Sequence, residues 1–307
     1  MSRSGKGALH TQRTNAVGRP PAVDLTLLAV AVLASSTTGP LIALCAAPGI
    51  AIAFWRTFAG SAVMAPVAWL AQRSDFALLT RRHWRLIALS GVLLALHFAL
   101  WIPSIGYTTV ASSTALVATQ PIWAAVIARL RGHHIPRLTW IGIGIALAGV
   151  VLLCGSDFAF ASSTALFGDF LALLGAITAG AYVTVGQAVR VRIGNHVYTT
   201  LCYGFAAVTL LVIAIAFGVP LSGWSGRDWL LIGAITVTGQ LLGHTLMNRV
   251  LATTSATVAS MAILFEMPGS TLLAAWWVNQ VPPTEVWPAI ALVLVGLVVV
   301  IRSGSAD

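Results

Sequence analysis

The sequence predicts an all-α integral membrane protein in which ten transmembrane helices form two inverted five-helix repeats. Three observations lead to this prediction. The 307-residue chain is 58% hydrophobic and 8% charged, whereas soluble domains carry about 25% charged residues. Ten apolar stretches each approach the roughly 20 residues that a helix needs to cross a bilayer. The stretches also divide into two sets of five that align, and two copies of an odd-numbered unit must cross the membrane in opposite senses.

The predicted helices follow the apolar stretches in order, because lipid offers no partner to a backbone group left without a hydrogen bond. We number them spans 1 to 10, and they cover residues 24–45, 50–71, 86–105, 108–129, 137–154, 166–189, 197–218, 229–249, 253–276 and 285–302. The connecting loops are short, and the longest is predicted at residues 72–85.

An internal duplication is indicated by identical residues that align at one offset of 147 residues. The aligned pairs are His97 with His244, Ser113 with Ser260, Ala115 with Ala262, Pro121 with Pro268, and Gly149 with Gly296. We therefore predict a first repeat at 24–154 and a second at 166–302. A disordered cytoplasmic tail at 1–23 precedes them, and a short cytoplasmic tail at 303–307 follows. A signal peptide is the alternative for the N-terminal region, but its apolar run continues to about residue 45, which favours a spanning helix.

The basic residues indicate that both termini are cytoplasmic, as expected for a multi-pass protein of the plasma membrane. With this orientation, 15 of the 17 Lys and Arg residues lie in inner segments, and only Arg56 and Arg227 lie elsewhere. The net charge of +9 would suit nucleic acid, but this distribution follows the membrane and argues against a nucleic-acid partner.

No cofactor, metal site or catalytic group is predicted. Cys45, Cys154 and Cys202 form no CxxC pair, and the sequence contains no GxxxxGK[ST], HExxH or GxSxG motif. An ATP-driven step and a serine hydrolase site are therefore not expected.

Glu266 is the first candidate functional residue, because it lies near the middle of span 9. A charge at the bilayer centre costs about 2.5–3.5 kcal/mol on insertion scales, so such a residue is a functional hypothesis by default. We predict that it couples transport to protons; the alternative is a structural carboxyl that bonds a neighbouring helix. Pro268 removes a backbone donor just after it and is predicted to bend the helix, as is the aligned Pro121 in span 4.

Polar residues on the other spans are predicted to line a substrate cavity. Gln240, His244 and Asn248 lie four residues apart in span 8 and therefore share one helix face. His97 and Trp101 have the same spacing in span 3. Gln120 of span 4 and Tyr182 of span 6 complete the predicted set. Hydrogen bonding between helices is the alternative role for each of them.

The sequence allows two interpretations of Arg56 in span 2. Its long side chain is expected to extend to the outer interface, as basic chains in membranes often do. The alternative is a residue that attracts anions at the outer mouth.

Four strings carry a family resemblance. They are FWRTFAG at the start of span 2, HFALWIPSIGYTTVASSTALVATQP in spans 3 and 4, GDFLALLGAITAGAYVTVGQAV in span 6, and ATTSATVASMAILFEMPGSTLLAAWW in span 9. With these strings, residues 24–302 resemble the EamA-type members of the drug/metabolite transporter superfamily. Span 9 departs from the pattern, since Met267 separates Glu266 from Pro268. The resemblance implies a basket of ten helices around a central cavity and the export of small metabolites such as amino acids, amines or drug-like compounds.

We therefore predict a secondary-active transporter that exports a small-molecule substrate by alternating access, with the lipid bilayer as its surroundings and protons as the candidate coupling ion. The sequence indicates no particular oligomeric state. The alternative is an integral membrane enzyme in which His97, His244 and Glu266 act as acid–base or zinc-binding groups.

Overall fold

The computed structural model describes residues 22–132, 134–160, 163–250, 265–284 and 286–303, and throughout these residues the regular secondary structure is helical. The α-helices are α1 (Ala22–Ser36), α2 (Thr38–Leu44), α3 (Gly49–Gln72), α4 (Arg81–Ser104), α5 (Val110–Val117), α6 (Gln120–Leu130), α7 (Arg137–Phe160), α8 (Ser163–Arg190), α9 (Asn195–Ala216), α10 (Gly226–Ile235), α11 (Thr245–Val250), α12 (Glu266–Trp277) and α13 (Val286–Ser303). A 3₁₀-helix at Arg73–Leu78 follows α3, and a π-helix at Thr236–His244 joins α10 to α11.

Within the described residues, seven helical segments are long and apolar enough to cross a membrane. They are Leu25–Leu44, Gly49–Leu78, Arg81–Ser104, Val110–Leu130, Ser163–Arg190, Asn195–Ala216 and Gly226–Val250. They correspond to spans 1 to 4 and 6 to 8, and shorter apolar helices at Arg137–Leu152 and Val286–Gly296 correspond to spans 5 and 10. The all-α membrane fold is thus confirmed. The count of ten stays a prediction, because most of span 9 lies outside the described residues, as do most of the two predicted tails.

Two spans that were predicted as single helices are each divided in two, and a proline explains both breaks. α1 ends at Ser36 and α2 begins at Thr38, two residues before Pro40. α5 ends at Val117 and α6 begins at Gln120, next to Pro121. A proline ring collides with the carbonyl four residues earlier and removes one backbone donor, which favours a break or kink at that point.

Another difference concerns the predicted loop at 72–85, which is largely helical. The 3₁₀-helix occupies its first half, and α4 begins at Arg81 rather than at residue 86. Thr80 caps α4, because its hydroxyl accepts the His83 N–H over 3.3 Å. The His83 ring Nδ1 in turn accepts the Thr80 backbone N–H over 3.3 Å, so the start of α4 is a reciprocal capping box.

The two repeats pack against each other in a two-fold arrangement. α4 of the first repeat packs along α8 of the second, and the π-helix packs in the corresponding way against α1. The pairs α3 with α9, α5 with α12, and α7 with α13 each join equivalent spans of the two repeats. At the level of whole spans, exchanging the two repeats maps these described helix pairs onto one another.

Two aspartates bind across the repeats at the starts of equivalent helices. The Gly194 N–H, just before α9, donates to Asp75 Oδ2 of the first repeat over 2.7 Å. The Ala46 N–H, just before α3, donates to Asp228 Oδ1 of the second repeat over 2.9 Å. Each repeat therefore supplies a carboxylate to a backbone N–H of the other, at the N-cap of α9 in one case and in the segment before α3 in the other.

Large apolar side chains cover much of the outer surface. Leu70 of α3, Phe217 after α9 and Trp276 of α12 are more than three-quarters exposed. A water-soluble protein rarely shows so much exposed apolar surface, whereas a lipid-facing surface requires it.

Candidate functional site

An aromatic cluster lies where α4 meets the π-helix. The rings of His97 and Trp101 are stacked, with centroids 5.6 Å apart and 8° between their planes. His244 of the π-helix lies 6.5 Å from His97 and 5.2 Å from Phe98, measured between ring centroids. The structure thus brings together the two histidines that the internal alignment pairs, one from each repeat.

The His97 ring is oriented by a backbone carbonyl. Its Nδ1 lies 2.9 Å from the Gly175 oxygen of α8. A carbonyl only accepts hydrogen bonds, so Nδ1 carries the proton and Nε2 of the neutral ring is left as an acceptor. Trp101, which stacks on this ring, has a buried Nε1 donor without a hydrogen-bond partner among the described residues. The stacked pair therefore offers one acceptor and one donor.

Tyr182 and Asn248 extend the cluster within the second repeat. Asn248 Nδ2 donates to the Tyr182 hydroxyl over 2.9 Å, and that hydroxyl lies 3.3 Å from Asn248 Oδ1. The Tyr182 ring lies 6.4 Å from that of His244. Arg190 Nε donates to the Asn248 carbonyl over 3.2 Å and holds α11 against the end of α8.

The π-helix carries the polar stripe that was predicted for span 8. The Thr245 N–H donates to the carbonyl of Gln240, five residues earlier, and the Thr245 hydroxyl donates to the same oxygen over 3.0 Å. π-Helical turns are rare in proteins as a whole, but those that occur are often located at functional sites. His244 lies in the aromatic cluster, Asn248 bonds Tyr182 beside it, and Gln240 bonds Arg56. That these three residues line a substrate cavity stays a prediction.

Arg56 is fully buried, so the predicted position at the outer interface is wrong. Its Nε donates to Gln240 Oε1 over 3.1 Å, and its guanidinium carbon lies 4.2 Å from the centroid of the Phe98 ring. A cation–π contact and a hydrogen bond to an amide offset part of the cost of burying a cation. The side chain therefore points to the repeat interface and away from the outer surface.

Three buried polar atoms around Arg56 have no hydrogen-bond partner among the described residues. They are Arg56 Nη1, Gln240 Nε2 and Thr38 Oγ1. The arginine Nε only donates, so its acceptor is the oxygen of the Gln240 amide. The amide nitrogen of Gln240 therefore has no part in this hydrogen bond. Thr38 Oγ1 and Arg56 Nη2 both lie beside Gly239, where a Cβ atom would come within 2.7 and 2.8 Å of them.

Glu266 is half-buried at the start of α12. Its backbone carbonyl accepts a hydrogen bond from Ser36 Oγ over 3.5 Å, and among the described residues its carboxylate has no recorded hydrogen-bond or salt-bridge partner. Arg56 is the charged group that interacts with it electrostatically. Pro268 follows in the first turn of α12, where a missing N–H costs least. The residues before 265 lie outside the described part, so the predicted bend at Pro268 stays a prediction.

Gln120 lies apart from these contacts. It is half-buried at the start of α6, and its carbonyl packs against Gly180 of α8, where a Cβ would come within 2.8 Å of that oxygen. Its role as a cavity residue therefore stays a prediction. Among the described residues, no three His, Cys, Asp or Glu side chains gather as metal ligands.

Phe98, Thr38 and the inward orientation of Arg56 were not found from the sequence. Phe98 and Thr38 belong to types that fill any apolar helix, and nothing in their spacing distinguishes them. Arg56 did carry a signal, since it is the only basic residue well inside a predicted span. A charge inside the membrane needs compensating partners, and those partners lie in the protein interior. This consideration favours an inward side chain more strongly than the length of arginine favours an outward one.

Comparisons with known proteins agree with this architecture. The sequence profile of the EamA-like transporter family matches residues 21–155 and again 166–302. A protein of Archaeoglobus fulgidus described as an uncharacterized transporter is 25% identical over 171 residues, which are 54% of this chain and 57% of that relative. The chain thus spans little more than half of the relative's length. A solved structure described as the crystal structure of a protein has a TM-score of 0.67 and covers 91% of this chain and 96% of its own, at 18% identity, which shows a shared fold alone.

The two family matches together cover most of the chain and coincide with the two sets of spans. Apolar helices long enough to cross a bilayer recur through both matches. The protein is thus a multi-pass membrane protein built from two copies of one family domain. With two copies of the domain in one polypeptide, the chain belongs to the EamA-like transporter family.

Proposed function

We propose that this transporter is a secondary-active exporter of small metabolites that works by alternating access in the plasma membrane. The observation that carries the proposal is that both repeats contribute polar side chains to one cluster. His97 of the first repeat meets His244 of the second, and Arg56 of the first meets Gln240 of the second. Substrate sites of inverted-repeat transporters lie at the interface between the repeats.

The packing of the repeats supports a rocking mechanism. Three of the main helix pairs join equivalent spans of the two repeats. If the two repeats exchange conformations, each of these pairs still consists of the same two helices. An inward-open and an outward-open state related in this way use the same contacts. Alternating access then needs relative rotation of two packed units around the central cluster.

Glu266 is the proposed site of proton coupling. It is half-buried, lies near Arg56 and is not engaged in a salt bridge with that residue. A carboxyl group in this position can gain and lose a proton as access alternates. One proton crossing the membrane provides about 2.3 kcal/mol per 100 mV, enough for useful accumulation of a substrate outside the cell.

The proposed substrates are amino acids, amines or drug-like compounds rather than phosphorylated metabolites. A phosphate carries nearly two charges and is normally held by several cations. Arg56 is the only basic residue well inside a predicted span. The aromatic rings beside it suit an organic group of moderate size.

The proposed orientation places both termini in the cytoplasm. It rests on the distribution of basic residues, since inner segments hold 15 of 17 under this orientation. A reporter enzyme that is active only outside the cytoplasm, fused after Asp307, is expected to be inactive. An active fusion would reverse the orientation and the proposed direction of transport.

The test of function is export from cells that overproduce the protein. Cells are loaded with a mixed panel of amino acids, amines and toxic analogues, and the medium is profiled for wild type, for Glu266→Gln and for an empty control. Glu285→Gln is the matched control, because Glu285 is the chain's other glutamate. Expression of each variant is measured in the same cells.

A compound that wild type and Glu285→Gln release, and that Glu266→Gln does not, would support export and the coupling role of Glu266. Equal release by both glutamate variants would remove Glu266 from coupling. If the protein drives uptake of the panel compounds rather than their release, the exporter proposal is wrong while the transporter assignment stands.

A further inference from the structure

Three buried polar atoms on Arg56, Gln240 and Thr38 have no hydrogen-bond partner within the part of the chain that the structure describes, and they share one chemical character. Arg56 Nη1 and Gln240 Nε2 can only donate hydrogen bonds, and the Thr38 hydroxyl can donate one. All three side chains are almost completely buried. A buried donor without an acceptor is costly, so these three donors, one of them on the cation itself, form an unfavourable arrangement unless an acceptor binds there.

The charge of the site points to an anion. Arg56 is a buried cation that has an amide and an aromatic face as its close partners, and neither carries a formal charge. Arginine stays protonated in proteins, so a buried arginine needs a negatively charged group nearby to balance its charge. The fork of the guanidinium matches a carboxylate, which can accept from two nitrogens at once.

The backbone packs closely against these polar groups. A Cβ atom at Gly239 would lie 2.7 Å from Thr38 Oγ1 and 2.8 Å from Arg56 Nη2. A residue with a side chain would therefore displace both groups, so the glycine lets Thr38 and Arg56 lie together against the π-helix.

We propose that Arg56, Gln240 and Thr38 form a binding site for the carboxylate group of the transported substrate. This inference rests on the proposed function and adds a chemical requirement to it: the substrate carries a carboxylate. Phe98 contacts both Arg56 and His244, so a carboxylate at Arg56 directs the rest of the molecule toward the His97–Trp101 stack.

A carboxylate could reach the site from two sources, the substrate or the chain's own Glu266. Glu266 interacts electrostatically with Arg56 and forms no salt bridge with it here, so it is the competing occupant. The experiment must therefore separate a free carboxylate from Glu266.

The experiment measures binding of acetate to the purified full-length protein in lipid nanodiscs by its effect on the melting temperature. Acetamide is the neutral isostere, and potassium chloride keeps ionic strength constant. We expect a saturable increase in melting temperature with acetate and none with acetamide or additional chloride. Thr38→Val should weaken acetate binding about 10- to 100-fold, the effect of one hydrogen bond to a charged group.

Thr57→Val is the matched control. Thr57 is also buried and lies next to Arg56 in sequence, but its hydroxyl bonds to the carbonyls of Ala53 and Phe54 in its own helix. Acetate binding should be unchanged in this variant. Arg56→Gln should abolish the acetate effect, and Thr38→Val keeps the experiment interpretable if Arg56→Gln fails to fold.

Acetate binding that depends on Thr38 in the wild type supports the site. Binding that appears only in Glu266→Gln would assign the site to Glu266 and overturn the inference, as would an equal effect of chloride or no effect in any variant. The test does not require transport. Acetate binding without export would contradict only the proposed function, and export without acetate binding would contradict only this site.

Discussion

Gly149 of α7 and Gly296 of α13 each lie against the backbone of the other helix, at symmetric positions of one close helix crossing. A Cβ on Gly149 would lie 2.8 Å from Val293 Cγ2 and 2.9 Å from the carbonyl of Ala289. A Cβ on Gly296 would meet the backbone of Ala146 and of Gly142, which are the residues aligned with 293 and 289 at the offset of 147. The aligned glycines therefore occupy equivalent places in a symmetric helix crossing.

Replacing either glycine with alanine should destabilise the protein. The added carbon would force α7 and α13 apart, at a cost of about 1–3 kcal/mol, which outweighs the roughly 1 kcal/mol gain in helix propensity. Gly144→Ala on α7 is the control, because a Cβ there would meet no atom within 4 Å. Thermal unfolding in detergent should show a loss for Gly149→Ala and Gly296→Ala, and no loss for Gly144→Ala. Three equal melting temperatures would contradict the close crossing.

The cross-repeat caps predict a second pair of equivalent effects. Asp75→Ala and Asp228→Ala each remove the acceptor of a backbone N–H, at Gly194 and Ala46 respectively, and should cost about 0.5–2 kcal/mol each. The asparagine variants keep an oxygen and should recover most of the loss. Melting temperatures of the four variants provide the measurement, and alanine variants as stable as wild type would show that these bonds are unimportant.

The Tyr182–Asn248 hydrogen bond should be visible in a double-mutant cycle. Both groups are buried, and each is the recorded side-chain partner of the other. Tyr182→Phe and Asn248→Ala should be less than additive, with a coupling energy near 0.6 kcal/mol and below about 1.7 kcal/mol, the range found for bonds between membrane helices. Unfolding of the two single variants and the double variant measures it. Strict additivity would mean that the bond contributes nothing to stability.

The π-helix should be needed for transport more than for folding. Deleting Leu242, an exposed residue of the segment, lets the wide turn relax to an α-helix and rotates Gln240 relative to Asn248. We expect a variant that inserts and melts near the wild-type temperature but exports at least tenfold less. Leu242→Ala keeps the chain length and should export normally. Normal export by the deletion would mean that the π geometry has no functional part.

His97→Phe separates ring packing from ring chemistry. Phenylalanine can still stack on Trp101, but it loses the hydrogen bond to the Gly175 carbonyl, which also accepts from Thr178 Oγ1. The stability cost should therefore be about 1 kcal/mol or less. Export should fall by tenfold or more if Nε2 contacts the substrate. Export at the wild-type rate would assign His97 to packing alone.

The polar residues of the site differ in how far the sequence revealed them. The sequence predicts Gln240, His244 and Asn248 as site residues because a polar stripe in an apolar helix must face protein or water. It predicts His97 from its spacing to Trp101 and its alignment with His244. Arg56 was placed at the wrong surface, since its partner Gln240 lies 184 residues away and no local pattern records that contact.

The membrane fold and its duplication followed from the sequence alone, because the bilayer requires long apolar helices and the repeat left identical residues at a constant offset. The breaks near Pro40 and Pro121 follow from a local clash, yet only the structure shows where each helix ends and resumes. Tertiary structure decided how the repeats meet. Which side chains share a site depends on contacts between distant helices, and those contacts are set by packing at glycines such as Gly149, Gly239 and Gly296, where the absence of a side chain has no local signature.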